Sequence, residues 1–203
     1  MKRSILTQAA VAAILSGTVP ASVTAAESAL ANEPAATTPT VAPDRVARGK
    51  YVVTVSGCND CHTPWIAGPN GPEPDMSRML SGHPEGDALP PAPAPSGPWI
   101  VAAAATNTAW SGPWGVSFTA NLTPDPETGL GRWTQRNFTE TLRTGRHMGR
   151  GRAILPPMPI PMYKHFTDAD LEAIFAYLQS IPPVRNRVPE PLPPGPAAAV
   201  AAQ

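Results

Sequence analysis

Cys58-Asn59-Asp60-Cys61-His62 constrains this chain more than any other stretch. Two thiols three residues apart, with an imidazole directly after the second, meet a specific chemical demand. The thiols add across the two vinyl groups of one haem, and the two-residue spacer sets their separation. His62 then lies against the iron as its proximal ligand. The chain holds 2 cysteines and 4 histidines, so one such attachment consumes both thiols and leaves none for a structural disulfide. A thioredoxin-like redox pair shares the C-x-x-C spacing but requires a preceding strand and a βαβ surround, and neither is patterned here. A zinc site requires four ligands. Cys58, Cys61, His83 and another histidine would supply them, yet no second closely spaced ligand pair exists. The expectation is one covalent haem c.

The N-terminus agrees with that chemistry. Lys2 and Arg3 precede an apolar run from Ile5 to Leu15, and Thr24-Ala25-Ala26 offers small residues for cleavage. This pattern reads as a secretory signal peptide over 1–26, with mature protein starting near Glu27. The run is too short and too polar for a spanning helix, which needs about 20 largely apolar residues. Covalent haem is attached outside the cytoplasm, so the two signals support export independently. Residues 27–42 are rich in Ala, Thr and Pro and read as a linker. Residues 189–203, Pro-rich and then Ala-rich, read as a disordered tail, since neither segment buries enough apolar surface to offset its ordering entropy. One domain over 43–188 remains. The formal net charge is +0, and removing residues 1–26 leaves 13 Lys and Arg against 15 Asp and Glu. That balance argues against a nucleic-acid partner.

Within the domain the periodicity predicts three helices and an all-α fold. The first starts near Asp44, its N-cap, carries Val46, Gly49 and Val53 at helical spacing, and delivers Cys58 at its C-terminal end. Gly49 permits a close helix crossing, and Tyr177 is a candidate to pack there. The second helix has Thr134 as N-cap, pairs Phe138 with Leu142, and stops at Gly145. The third opens on Thr167-Asp168-Ala169-Asp170 and continues with Leu171, Ile174, Phe175 and Leu178 on one stripe until Pro182-Pro183. Residues 64–120 show almost no period. With 28 prolines and 16 glycines in the chain, and a polyproline run at Pro90–Pro95, this segment reads as one long irregular connection wrapping the haem. Trp65, Trp99, Trp110 and Trp114 are its candidate covers, with packing in the loop as the alternative.

The ligand opposite His62 decides whether a haem carries electrons or binds small molecules. Met158 is the candidate, in Leu155-Pro156-Pro157-Met158-Pro159-Ile160-Pro161 just before the last helix. Flanking prolines stiffen the loop and remove backbone donors from an apolar pocket. Met162 is the closest rival; Met148, His147, Met76, Met79 and His165 are others. An acceptor for the second His62 nitrogen is expected among the carbonyls between Trp65 and Pro74. Trp133 is a candidate donor to a haem propionate, or a staple for the second helix. The oxygens of Asn121–Gly129 suggest a calcium loop, but Pro124 and Pro126 disrupt the spacing and favour a plain turn. The arginines from Arg132 to Arg152 read as a solvated face, or as groups that neutralise propionates or steer an acidic redox partner.

Together these motifs carry a resemblance. Cys58-x-x-Cys61-His62 follows a helix bearing Gly49-Lys50-Tyr51. The centre holds Asn121-Leu122-Thr123-Pro124-Asp125 and Thr128-Gly129-Leu130-Gly131. Pro157-Met158-Pro159 precedes Phe175-Ala176-Tyr177-Leu178. Over residues 43–187 the chain resembles the class I c-type cytochromes. It is similar, more narrowly, to the cytochrome domains found with bacterial periplasmic alcohol, aldehyde and gluconate dehydrogenases. The resemblance implies a small helical domain around one haem, held by Cys58 and Cys61 with His62 proximal and Met158 distal. It implies a periplasmic single-electron carrier, not itself an enzyme, whose partners are redox proteins: a dehydrogenase, a terminal oxidase or another cytochrome. The chain has one haem motif where the multi-haem dehydrogenase subunits have several. The competing class is a haem enzyme or a gas- or peroxide-reactive sensor with an open distal site.

Overall fold

Two helices far apart in sequence cross at a glycine, and the rest of the domain is arranged around that crossing. The computed structural model describes residues 43–93 and 98–194. The leader over 1–26, the linker over 27–42, part of the polyproline run and the tail from 195 onward lie outside the described residues. Helix α1 spans Pro43–Val55. It begins on Pro43, whose missing N–H costs nothing in a first turn, and Asp44 falls inside that turn, where its charge suits the helix dipole. Helix α5 spans Asp168–Ser180, with the Thr167 hydroxyl accepting from the Asp170 amide as its N-cap. A Cβ on Gly49 would strike the carbonyl of Ala173 and come within 2.8 Å of the Tyr177 Cβ. Glycine is therefore what lets α1 and α5 approach, and the close crossing read from the sequence is present. Val52, Val53, Leu171, Ile174 and Leu178 fill the core beneath it.

The remaining helices are short. Helix α2 spans Cys58–His62, entered through Gly57 at φ 68°. Helix α3 spans Gln135–Thr144, with Thr134 and Asn137 forming a reciprocal capping box and Gly145 closing it at φ 66°. Helix α4 spans Ile160–Tyr163. None of the described helices is long and apolar enough to cross a membrane.

The expectation of an all-α domain is overturned by two antiparallel sheets in the segment read as irregular. Strand β1, Trp65–Gly68, pairs with β2, Gly71–Pro74, and β3, Ala102–Ala103, β4, Ala109–Gly112, and β5, Gly115–Phe118, form a second sheet in that order. The domain mixes helix and sheet. Strands of two to four residues are too short to show a period of two, so the alternation test fails on them. Pro72 and Pro74 also argue against a strand. They are tolerated because β2 is paired only with β1 and its outer side needs no donors. Gly68-Pro69-Asn70-Gly71 and Gly112-Pro113-Trp114-Gly115 close the two hairpins, with Gly71 at φ 121° and Gly115 at φ 95°, values that favour glycine.

The sheet-bearing segment is anchored to α2 and to the C-terminal chain. The Gly82 amide donates to the His62 carbonyl at 2.8 Å, and the Leu122 amide to Leu80 at 2.8 Å. Asn186 is the principal tie. Its amide group donates to the carbonyls of Ser81 at 2.7 Å and His83 at 2.8 Å, and its oxygen accepts from the Glu85 amide at 2.8 Å. Val116 and Leu192 exchange both backbone hydrogen bonds at 2.9 Å. The chain thus stays attached to β5 four residues past the boundary expected at Val188.

Candidate functional site

Helix α2 brings Cys58, Cys61 and His62 onto one short turn. Both thiols are free and half-buried. Burial pushes the Cys58 thiol up to about 12, and burial first, then Asp60, raises Cys61. Both thiols are therefore protonated, weakly polar groups at neutral pH. The helix is braced from outside. The Asp60 carbonyl accepts from the Trp65 indole at 2.9 Å and from Asn107 at 2.7 Å, and the Thr63 hydroxyl donates to Asn59 while accepting from the Leu80 amide. Of the four tryptophans named as candidate covers, Trp65 bonds to this turn. Trp99 is instead 75% exposed, Trp114 donates to Ser117 within its own hairpin, and Trp110 lines a small cavity against Pro90–Pro93.

His62 is buried, with Nδ1 2.8 Å from the carbonyl of Ala120. Burial holds its imidazole below the ordinary histidine range, although the Ala120 bond pulls the other way. The ring is therefore neutral at pH 7, and the tautomer selected by Ala120 carries its proton on Nδ1. Nε2 is left with a free lone pair, the condition for an imidazole ligand. The acceptor expected between Trp65 and Pro74 is not used. The chain returns to His62 only after both sheets, and no local spacing encodes that 58-residue contact. The buried hydroxyl of Thr119, the residue before Ala120, has no hydrogen-bond partner among the described residues.

Met158 is half-buried against the main core, in a shell that also holds Cys58, Trp133, Ile160 and Tyr163. Two of its methionine rivals are exposed, while Met79 and Met148 are half-buried as Met158 is. Met162 is 70% exposed and Met76 57% exposed, whereas Met79 packs on the core with its sulfur 4.0 Å from the Tyr177 hydroxyl. Trp133 sits at the entry to α3 and meets His147 edge-on, with ring centroids 5.1 Å apart. The four side chains weighed as a zinc set are not brought together. Among the described residues no three His, Cys, Asp or Glu side chains are grouped to hold a metal ion. His83 is fully buried in the sheet region, bonded to Thr108 at 2.9 Å. The Asn121–Gly129 loop is a turn built on Asp125, whose carboxylate accepts from the Thr128 hydroxyl at 2.6 Å and the Thr128 amide at 2.7 Å.

No family model matches the chain. Curated relatives do. The alcohol dehydrogenase (quinone) cytochrome c subunit of Gluconobacter oxydans is 28% identical over 148 residues, covering 71% of this chain and 24% of the relative. The gluconate 2-dehydrogenase cytochrome c subunit of Pantoea cypripedii is 26% identical over 140 residues, covering 68% and 24%. A nicotinate dehydrogenase subunit of Pseudomonas putida is 42% identical over 77 residues, covering 38% and 6%. The chain is related to the cytochrome c subunits of bacterial dehydrogenases. It spans about a quarter or less of the length of these relatives.

Three contributors to the site escaped the sequence reading. Ala120 contributes through its backbone, so its side chain carries no signal. Tyr163 was passed over because α4 is one turn long; its hydroxyl donates to the Ser56 carbonyl, two residues before Cys58. Burial, followed by the nearby Cys58, Cys61 and Asp60, raises that phenol to about 12, so it remains a donor. Asn121 belonged to a quoted motif without a role. Its side chain donates to Val184 at 2.8 Å and accepts from the Thr123 hydroxyl at 2.7 Å, fixing the loop that presents Ala120.

Proposed function

We propose that this chain is an exported single-electron carrier with one covalent haem c, not itself an enzyme. In this reading the leader over 1–26 is removed and the linker over 27–42 tethers a domain over 43–188. The protein works in the periplasm, taking electrons from a dehydrogenase and passing them to a respiratory partner. Cys58 and Cys61 would hold the haem, His62 and Met158 would ligate its iron, and the Trp133 indole would be available as a donor to the haem. The donor set fits that group. Two free thiols and a neutral imidazole share one helical turn, and a half-buried apolar shell with a thioether packs on the same core. The iron, when bound, supplies a one-electron couple tuned by its ligands and surroundings.

The chain's own residues do the rest. Ala120 fixes the plane of the His62 ring and keeps its proton on Nδ1. Prolines around Met158 restrict the loop, so little entropy would be lost in holding a weak thioether ligand there. The observation that carries the reading is the α2 turn, with both thiols and an imidazole oriented from Ala120, in a chain related to cytochrome c subunits. The test is the absorption spectrum of haem-loaded wild type, Met158→Ala and Met162→Ala. The sulfur–iron charge-transfer band should vanish in Met158→Ala and persist in Met162→Ala. Rapid carbon monoxide or cyanide binding by wild type would favour an open-site enzyme or sensor instead.

A further inference from the structure

The loop carrying Met158 is held at three places among the described residues. Before it, the Ser117 hydroxyl donates to the Pro156 carbonyl at 2.5 Å. After it, Arg143 donates to the Lys164 carbonyl. Between them, the Tyr163 hydroxyl donates to the Ser56 carbonyl. The first two tie the loop to β5 and α3. The third alone reaches the segment that leads into Cys58.

There is little slack between Met158 and Tyr163. The Ile160 amide donates to the Met158 carbonyl at 2.9 Å, the Met162 amide to Pro159 at 2.9 Å, and the Tyr163 amide to Pro159 at 3.0 Å. Pro159 and Pro161 fix two more torsions. The Tyr163 ring is half-buried on the core and lies 5.2 Å from the Phe166 ring, so its direction is set by packing. Ser56 directly follows α1, where the last carbonyls of a helix have no partner within the helix. A side chain from 107 residues away satisfies this one.

We propose that Tyr163 is a positioning residue that latches the Met158 loop to the Cys58–His62 turn through the Ser56 carbonyl. The inference rests on the axial assignment above. The two ligand-bearing segments then move as one unit, and release of the thioether requires the latch to open.

The experiment uses the haem-loaded full chain and compares wild type, Tyr163→Phe, Met158→Ala and Asn186→Ala. Cyanide binding to the oxidised protein is followed by stopped flow, and backbone hydrogen exchange over 156–164 is followed by mass spectrometry. Cyanide must wait for the thioether to leave, so losing one neutral hydrogen bond should speed binding about three- to tenfold in Tyr163→Phe. Exchange over 160–163 should rise in parallel. Asn186→Ala, destabilised at a side chain that bonds Ser81, His83 and Glu85 and touches neither Ser56 nor the Met158 loop, should leave the cyanide rate unchanged. A Tyr163→Phe rate equal to wild type overturns the latch, and so does an equal acceleration in Asn186→Ala. If the sulfur–iron band survives Met158→Ala, the axial assignment falls and the latch with it. If the band is lost there while Tyr163→Phe behaves as wild type, the latch alone falls.

Discussion

Replacing Gly49 by alanine tests the crossing on which the domain is built. Two effects oppose each other. Alanine favours a helix interior over glycine by about 1 kcal/mol. Against that, the new methyl would meet the carbonyl carbon of Ala173 at 2.6 Å and the Tyr177 Cβ at 2.8 Å. A backbone carbonyl cannot rotate aside as a side-chain tip does, so α1 and α5 must separate. Overpacking of that kind costs about 1–3 kcal/mol, and a rigid obstacle places it toward the upper end. The net loss is about 1–2 kcal/mol, which for a chain of this size lowers the melting temperature by about 2–8 °C. Gly86→Ala is the control. Nothing lies within 4 Å of its Cβ position, so it should change stability by less than about 0.5 kcal/mol. Urea unfolding followed by circular dichroism measures both. A Gly49→Ala protein as stable as wild type, or more stable, would show that the helices do not meet at this residue.

Asn186→Ala should cost about 2–3 kcal/mol in the same urea titration. It leaves the carbonyls of Ser81 and His83 and the Glu85 amide unpaired near the core. Asp170 gives a pH dependence. Its hydrogen bond from Arg48 at 2.8 Å, then that from Thr167, holds its carboxyl below the ordinary aspartate value. The unfolded chain therefore takes up the proton first as pH falls. The stabilisation is complete above about pH 4 and is lost as pH drops through the folded-state value. Arg48 is 52% exposed, so the pair contributes only about 0.5 kcal/mol. Asp170→Asn should flatten the low-pH arm of the stability curve by that amount and leave its slope above pH 6 unchanged.

Legibility followed the range of the interactions. The α5 stripe, the Thr134 and Thr167 caps and the stop at Gly145 are local, and the sequence spells them within a few residues. The Cys58–His62 motif was legible because its residue types and spacing are contiguous in the sequence, although its separate short helix was not. The sheets were not, since β3 has two residues and its partners four, too few for a period to emerge from Ala, Gly and Pro. The Ala120 carbonyl and the Ser56 carbonyl were hidden for another reason. Both act through the backbone, so residue identity is silent, and only the fold reveals that 58 and 107 residues of chain close on them. His83 shows the converse. A histidine counted among potential zinc ligands turns out to be a buried structural residue bonded to Thr108.

The most direct test of the account is the intact mass and haem stoichiometry of the protein matured in an exporting bacterium that assembles c-type haem. The account predicts one iron porphyrin per chain, retained through denaturation and acid extraction, and lost from covalent linkage when Cys58 and Cys61 are both replaced by alanine. A mature chain with unmodified thiols, or a haem that acid acetone removes, would contradict it.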